Sequence, residues 1–233
     1  MAAPFLTARW EHLAIISYHV DEDLLRPRLP AGLELDLHRG RPCVSLVAFM
    51  FQDTRLRGRK IPGHVNFPEI NLRFYVRTPE RRGVMFIREI VGRRAITAVA
   101  RWVYNEPYTT RRLGASVREH DGRIETTYTL HDRGPHVIGV NAQASPVLLG
   151  EDSPEHWFKE HQWGFGVDRQ GRALTYEVRH PFWRVYPGAE LRLNLDWAQV
   201  YGPEWGMLQE AEPVSVVLAE GSAVEVFPKA TGT

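Results

Sequence analysis

The chain has 233 residues, of which 43% are hydrophobic and 24% charged, and its formal net charge is +1. These values are typical of a globular domain and differ from those of disordered or fibrous chains. Acidic and basic residues are interspersed, and no basic stripe is present that would neutralise a row of phosphates, so we expect no nucleic acid partner. Because the sequence contains no internal repeat and no long linker, it predicts a single domain over residues 1–233.

The cysteine content and the apolar segments bear on the cellular setting. Cys43 is the only cysteine, which excludes an internal disulfide, and it lies at the apolar run 44–51, where a thiol packs as a small apolar side chain. The first ten residues lack the apolar stretch of a signal peptide, and no segment approaches the ~20 apolar residues of a membrane span. We therefore expect a cytoplasmic protein without a membrane partner.

The chain opens with a predicted strand, a short helix and a second strand. Residues 13–20 are mostly apolar and predict a buried strand. Asp21 is a candidate N-cap for a short helix that Pro27 and Pro30 end. Leucines alternate with polar residues over 33–38, which predicts a half-buried strand, and the continuous apolar run 44–51 predicts a strand buried on both faces.

A row of polar side chains lies on one face of the next predicted strand, residues 67–76. The apolar face carries Ile70, Leu72, Phe74 and Val76, and the polar face carries Glu69, Asn71, Arg73 and Tyr75. The polar row faces either water, which is usual for an antiparallel sheet, or a cavity whose ligand would contact these groups.

The rest of the chain predicts further strands and two more short helices. Residues 84–91, 214–218 and 224–227 predict strands, and apolar residues at helical spacing predict a helix over 95–104. Asp121-Gly122 and Gln170-Gly171 predict hairpin turns, and Ser153 caps a predicted helix over 155–162. We therefore expect a β-rich α+β fold in which a large antiparallel sheet curls into a sandwich or barrel, with a few short helices outside it.

The histidines do not form a recognisable metal motif. His156 and His161 are five residues apart, so on a helix they would point about 140° apart and could not share a metal as an i, i+4 pair does. The other histidines are scattered singly. We expect no metal and no cofactor.

Three segments resemble acetoacetate decarboxylase and its fold relatives, in the same order. Arg9-Trp10-Glu11 resembles that family's opening, Phe67-Pro68-Glu69 resembles the step that supplies its active-site glutamate, and the segment 108–114 resembles its Tyr-Pro-Lys-Lys-Leu-Gly segment. The run 67–76 is also similar to the YqjF-like family of uncharacterised bacterial proteins. The resemblance implies the acetoacetate decarboxylase-like fold across the whole chain.

The resemblance also implies a chemical difference. It places Arg111 and Arg112 where the decarboxylase has its Schiff-base lysine and the neighbouring lysine. A guanidinium is no usable amine nucleophile, but it binds a carboxylate through two parallel hydrogen bonds. We therefore expect no imine decarboxylation.

Three functional hypotheses remain open. The first is a small-molecule-binding barrel whose pocket favours an anionic, carboxylate-bearing ligand similar to an oxo acid. Its candidate binding residues are Arg9, Arg73, Arg111 and Arg112 for the carboxylate, and Asn71, Tyr75 and Tyr108 for orientation. Glu69 would accept a hydrogen bond from the ligand. Trp183 is a candidate for the cavity wall, although tryptophans most often fill β-cores.

The second hypothesis is an enzyme that acts on an oxo or enolisable acid. Glu69 would be its general acid or base, and Arg111 and Arg112 would stabilise the developing oxyanion. The third is a structural or interaction protein, in which the arginines form surface salt bridges with Glu106 or Glu119 and the polar row faces water. The sequence also leaves open a homo-oligomer formed by an exposed edge strand.

Overall fold

Strands make up most of the part of the chain that the computed structural model describes, residues 3–97, 107–168 and 170–231. In the first half they are β1 (Leu6–His19), β2 (Glu34–Leu35), β3 (Cys43–Leu56), β4 (Phe67–Arg77), β5 (Arg82–Val91), β6 (Tyr108–Thr110) and β7 (Arg112–His120). In the second half they are β8 (Arg123–His131), β9 (Pro135–Gln143), β10 (Trp163–Val167), β11 (Ala173–Arg179), β12 (Val185–Tyr186), β13 (Glu190–Asn194), β14 (Ser215–Val226) and β15 (Ala230–Thr231).

Helices are short. The α-helices are α1 (Pro154–Lys159) and α2 (Trp197–Tyr201), residues 94–97 are also helical, and 3-10 turns occupy Glu22–Leu24, Arg26–Arg28 and Pro203–Gln209. Within the described part of the chain, no helix combines the length and apolar character needed to cross a membrane.

The main sheet curls back towards itself. Its strands follow the order β12, β14, β1, β3, β4, β5, β10, β11, β15, and β11 also pairs with β14. That closing contact is short, with Val178 opposite Val226 and Arg179 opposite Glu225. The sheet is therefore a curled and unevenly closed structure, and its β5–β10 and β5–β6 pairings are parallel whereas the others are antiparallel.

A second, antiparallel sheet covers one side of this curled sheet. Its order is β13, β9, β8, β7. Residues on β8 alternate between half-buried and buried, and Ile124, Tyr128 and Leu130 join one apolar core with the apolar face of β4. A second core lies on the other face of β4 and includes Tyr75. Both faces of β4 are therefore buried, so its polar row does not face water.

Most predicted elements are confirmed with altered bounds. The β-rich fold with few helices is the predicted one, although the sheet is mixed rather than antiparallel throughout. Asp21 and Ser153 act as N-caps, accepting hydrogen bonds from the backbone amides of Asp23 and His156. The helix after Ser153 ends at Lys159 rather than at residue 162. Of the helix predicted over 95–104, residues 98–104 lie outside the described residues.

Two predicted strands are different in the structure. The strand predicted over 33–38 is reduced to β2, because Asp36 turns inward and accepts a hydrogen bond from Arg82 Nε at 2.6 Å. The strands predicted at 214–218 and 224–227 form one strand, β14, that passes through Gly221. Gly221 has φ +86° and lies so close to the Trp10 carbonyl that any larger residue would collide with it.

Candidate functional site

The curled sheet encloses a cavity of about 220 Å³ on the polar side of β4. Its wall is mostly aromatic and aliphatic, with side chains from β1, β3, β5, β10 and β11. The polar side chains in the lining include Glu69, Asn71, Arg73, Glu89, Tyr108 and His161. A mostly apolar cavity with a few convergent polar groups is the usual form of a small-molecule site.

Glu69 is a buried acid in the cavity lining. It is 3% exposed, and its carboxylate accepts hydrogen bonds from Asn71 Nδ2 at 3.2 Å and from the Tyr108 hydroxyl at 3.1 Å. Burial raises the pKa of Glu69 to about 7, and these two hydrogen bonds oppose that rise. Glu69 can therefore both accept and give up a proton near neutral pH.

Glu89 is a second acid in the cavity lining. Glu89 is 3% exposed on β5 and lies opposite Asn71 in the β4–β5 register. Tyr108 is placed beside Glu89 by the parallel pairing of β6 with β5. Burial, and then the charges of Glu69 and Glu89, raise the pKa of Tyr108 well above its usual value, so this phenol remains a hydrogen-bond donor.

Arg73 is a buried cation that no carboxylate of the described residues neutralises. It is 9% exposed, and its Nη2 donates to the Phe158 carbonyl at 2.9 Å. Among the described residues, its Nε has no hydrogen-bond partner and no carboxylate oxygen lies within 4.0 Å of the guanidinium. Because burying an unpaired charge is costly, an anion that entered the cavity would give Arg73 a partner that the described residues do not supply.

His161 lies beside Arg73 and follows α1. Both of its ring nitrogens are buried, and neither has a partner among the described residues. Burial, with a further contribution from the charges of Arg73 and Arg82, holds the pKa of His161 well below its usual range. A neutral imidazole is therefore present in the cavity, able to donate one hydrogen bond and accept another.

His161 and Glu89 were not among the residues selected from the sequence. The sequence pattern places His161 on a helix, whereas in the structure it lies beyond the end of α1. Glu89 lies in the strand predicted over residues 84–91, but that prediction did not show which other strand its side chain would meet.

The structure brings together four of the residues predicted from the sequence, namely Glu69, Asn71, Arg73 and Tyr108. Tyr75 is on the same face of β4 but lies beyond the cavity. Its hydroxyl is hydrogen-bonded to Ser45 and to the Phe158 carbonyl. Tyr75 therefore supports the wall that carries Arg73 and does not contact the cavity space.

The other predicted arginines point away from the cavity. Arg9 is exposed, and its Nε donates to Glu11 at 2.9 Å. Arg111 lies between β6 and β7, where strand alternation does not fix its direction, and its Nε is 3.1 Å from an Asp132 carboxylate oxygen. Arg112 is exposed on β7. The surface pairing expected under the structural hypothesis thus occurs for Arg111, although with Asp132 rather than Glu119. Glu106, the other expected partner, lies outside the described residues.

Trp183 is buried next to the cavity without lining it. Its ring stacks on His180 at 4.1 Å between centroids, and its Nε1 donates to Ser222 at 2.9 Å. Its ring centroid is 6.2 Å from that of Trp10, which does line the cavity. Trp183 is therefore a core residue that packs behind the wall.

No lysine reaches this cavity. The chain has three lysines, Lys60, Lys159 and Lys229. Lys60 pairs with Asp53, Lys229 is exposed, and the buried Lys159 pairs with Glu160. None of the three lines the cavity.

The architecture is that of acetoacetate decarboxylase and its relatives. A crystal structure of acetoacetate decarboxylase from Legionella pneumophila matches with a TM-score of 0.68 at 15% identity, over 100% of this chain and 88% of that one. MppR, an enduracididine biosynthesis enzyme complexed with pyruvate, matches with a TM-score of 0.65 at 14% identity, over 99% and 91% of the two chains. An acetoacetate decarboxylase-like enzyme from Sphingomonas wittichii RW1 matches with a TM-score of 0.65 at 12% identity, over 98% and 92%. At these identities the likeness establishes the fold.

Within this fold the chain belongs to the family DUF2071, described as an uncharacterized conserved protein, whose model matches residues 7–223. The uncharacterized protein YqjF of Bacillus subtilis strain 168 is 34% identical over 192 residues, which are 79% of this chain and 77% of YqjF. The resemblance that the run 67–76 indicated is thereby confirmed.

Proposed function

We propose that the cavity binds a small organic anion and that Arg73 holds its carboxylate. The observation that carries this proposal is the buried guanidinium of Arg73, which has no carboxylate partner among the described residues. A charged hydrogen bond to a carboxylate would offset the cost of burying that cation. The neutral His161 beside it supplies a further donor or acceptor.

The other end of the ligand would meet Glu69, Asn71 and Tyr108. Glu69 and Arg73 are four residues apart on β4, which places their Cα atoms about 13 Å apart at the usual rise of a strand. A hydroxyl or oxo group at that end would contact the Tyr108 and Glu69 pair. A cavity of about 220 Å³ is smaller than the usual site for a drug-sized molecule, so the ligand is a small hydroxy or oxo acid.

Support for an acid of this class also comes from the neighbours in fold. MppR was solved with pyruvate and with the condensation product of pyruvate and imidazole 4-carboxaldehyde. The present chain would not form an imine with such a ligand, because none of its lysines lines the cavity. Arg9, Arg111 and Arg112, which the sequence suggested as carboxylate ligands, have no part in the proposal.

A thermal-shift screen against small oxo, hydroxy and aromatic carboxylates tests the proposal. A ligand at 100 times its dissociation constant adds about 2.7 kcal/mol of stability, which corresponds to roughly 5–10 °C for a chain of this size. We expect the stabilising acid to lose its effect in Arg73→Gln. Because that change removes an unpaired buried cation, the variant should fold at least as stably as the parent.

The matched control is Arg77→Gln, a change on the same strand. Arg77 is exposed and pairs with Glu34, so its loss should leave the ligand effect intact. A screen without any hit, or a hit that survives in Arg73→Gln, would contradict the proposal.

A second candidate function is catalysis at the same site, with Glu69 as general acid or base on an enolisable acid. The observation in its favour is that the pKa of Glu69 is about 7. A general acid or base is most effective when its pKa lies near the pH at which it operates. Arg73, rather than Arg111 and Arg112, is the cation available inside the cavity to stabilise an enolate oxyanion.

Exchange of the α-hydrogens of the bound acid with solvent deuterium, followed by NMR, tests this catalytic role. Glu69→Gln should slow the enzyme-dependent exchange by about 10²- to 10⁴-fold. The acid should still stabilise this variant in the thermal-shift assay, which separates lost chemistry from lost binding. Exchange at the parental rate in Glu69→Gln would rule out the role of Glu69.

A further inference from the structure

A cluster of two histidines and the cysteine lies outside the cavity, at one end of the β1–β3 pair. His19 is the last residue of β1, and in the antiparallel register it is the partner of Cys43, the first residue of β3. His38 approaches from the preceding turn. One ring nitrogen of each histidine and the Cys43 sulfur all lie within 4.8 Å of one another.

The turn that carries His38 is tightly constructed. His38 and Arg41 exchange two backbone hydrogen bonds at 2.9 and 3.1 Å. The two residues between them, Arg39 and Gly40, have φ of +52° and +79°, which is the backbone of a type I′ turn. The position of His38 relative to Cys43 is therefore set by backbone geometry and does not depend on a long flexible loop.

One buried nitrogen in the cluster is unsatisfied among the described residues. His38 is 8% exposed, and its Nδ1 is buried without a hydrogen-bond partner among the described residues. The Cys43 sulfur, which is almost fully buried, lies 3.2 Å from His19 Nδ1. A buried imidazole nitrogen without a partner is costly, so its retention beside a thiol requires an explanation.

We propose that His19, His38 and Cys43 form a binding site for Zn²⁺. Two imidazoles and a thiolate are ligands that Zn²⁺ prefers, whereas Ca²⁺ and Mg²⁺ require oxygen ligands. Binding releases the thiol proton of Cys43 to solvent as the zinc–sulfur bond forms. The fourth position would be taken by water on the side of His19, which is half-buried.

The site is separate from the cavity but touches the element that supports it. None of the three residues lines the cavity. The His38 ring packs against Phe158 of α1 at 4.6 Å between centroids. The carbonyl of Phe158 is the group that accepts from Arg73. A bound metal would therefore fix the turn against α1, and the proposal does not depend on what the cavity binds.

Two nearby cations oppose metal binding. Arg39 and Arg41 belong to the same turn as His38, and both are exposed. Their charges are screened by solvent, and the thiolate contributes a negative charge in contact with the metal. The simpler alternative is that Cys43 and His19 form an ordinary hydrogen bond in the core, so the experiment must distinguish ligation from packing.

Cobalt is a suitable probe, because Co²⁺ occupies zinc sites and a thiolate ligand gives it a near-ultraviolet charge-transfer absorption. The full chain, freed of metal by a chelator, is titrated with Co²⁺ and then with Zn²⁺. We expect one equivalent of cobalt to give the thiolate band and Zn²⁺ to remove it. Cys43→Ser should abolish the band, and His19→Gln, a milder change at a half-buried position, should weaken cobalt affinity by more than about 100-fold.

His120→Gln is the matched control, since His120 is exposed on the β7–β8 hairpin and its loss should leave the titration unchanged. The absence of a thiolate band in the parent protein would overturn the proposal. A band that persists in Cys43→Ser would do the same, as would a cobalt affinity that is unchanged in His19→Gln. If Cys43→Ser fails to fold, the His19→Gln titration still decides the question.

Discussion

Glu69 and Arg73 are buried on the same strand, but their side chains differ in how many partners they have. Glu69 receives two hydrogen bonds from Asn71 and Tyr108, whereas Arg73 receives no carboxylate partner from the described residues. The pKa of Glu69 is about 7, so both protonation states of its carboxyl are accessible near neutral pH. The positive charge of Arg73 is left for a ligand to neutralise. These two side chains therefore define the two ends of the proposed site.

The raised pKa of Glu69 predicts a pH dependence of stability. The folded protein retains a proton on Glu69 up to about pH 7, whereas the unfolded chain loses it near the ordinary value of 4.5. Stability from this group is therefore fully present below about pH 4.5 and is lost as pH rises through 7. Relative to Glu69→Gln, the parent should lose up to about 3 kcal/mol of unfolding free energy between pH 5 and pH 8.

Urea denaturation of the parent and of Glu69→Gln at a series of pH values measures this difference. Glu119→Gln, the loss of one exposed carboxyl, reports the effect of net charge alone. A difference between the parent and Glu69→Gln that stays flat across this pH range would contradict the assignment of Glu69 as a buried, protonatable carboxyl.

Among the elements, β4 and β5 carry most of the polar side chains of the cavity, and β10 contributes to the cavity wall beside β5. β10 runs parallel to β5, with Gly164 opposite Val84. Gly83 makes the close approach of these strands possible, since a Cβ on it would lie 2.2 Å from the Trp163 carbonyl oxygen. The cavity thus depends on a glycine that has no polar role.

Gly83→Ala should destabilise the protein by about 1–3 kcal/mol, because the added methyl group would push β10 away from β5. Gly150→Ala is the control, since a Cβ there meets nothing within 4 Å. Its effect should stay within about 0.5 kcal/mol. Equal unfolding free energies for the two variants would show that β5 and β10 do not approach each other as closely at Gly83 as the structure indicates.

The sequence predicted these elements better than it predicted the site. Period-two alternation was sufficient to place Glu69, Asn71 and Arg73 on one face of β4, because side-chain direction in a strand is a local property. Whether that face met water depended on the pairing of β11 with β14, which are far apart in the chain, and no local pattern encodes such a contact.

Residues outside regular elements were the least predictable. Arg111 lies between two strands, so alternation could not fix its direction, and the structure turns it towards Asp132. His161 follows a helix that ends two residues before it. The periodic pattern carries no information at such positions, which is why one of these residues was proposed as a ligand contact and the other was not.

In the molecule as a whole, one apolar core lies between the two sheets and a second lies on the cavity side of the main sheet. This arrangement buries both faces of β4 and leaves a space of about 220 Å³ beside its polar row. With a net charge of only +1, the protein has no strong overall field to attract an anion. Selectivity for an anion must therefore come from the local charge of Arg73.

Calorimetric comparison of the tightest-binding acid from the screen with its primary amide tests this claim directly. The two compounds have nearly the same shape and differ in charge. Since a hydrogen bond to a charged group is worth about 1.5–3 kcal/mol, the parent and Arg77→Gln should prefer the acid by about 10- to 100-fold, and Arg73→Gln should bind both compounds equally. A parent protein that does not distinguish acid from amide, or a preference that survives in Arg73→Gln, would show that Arg73 is not the group that binds the anion.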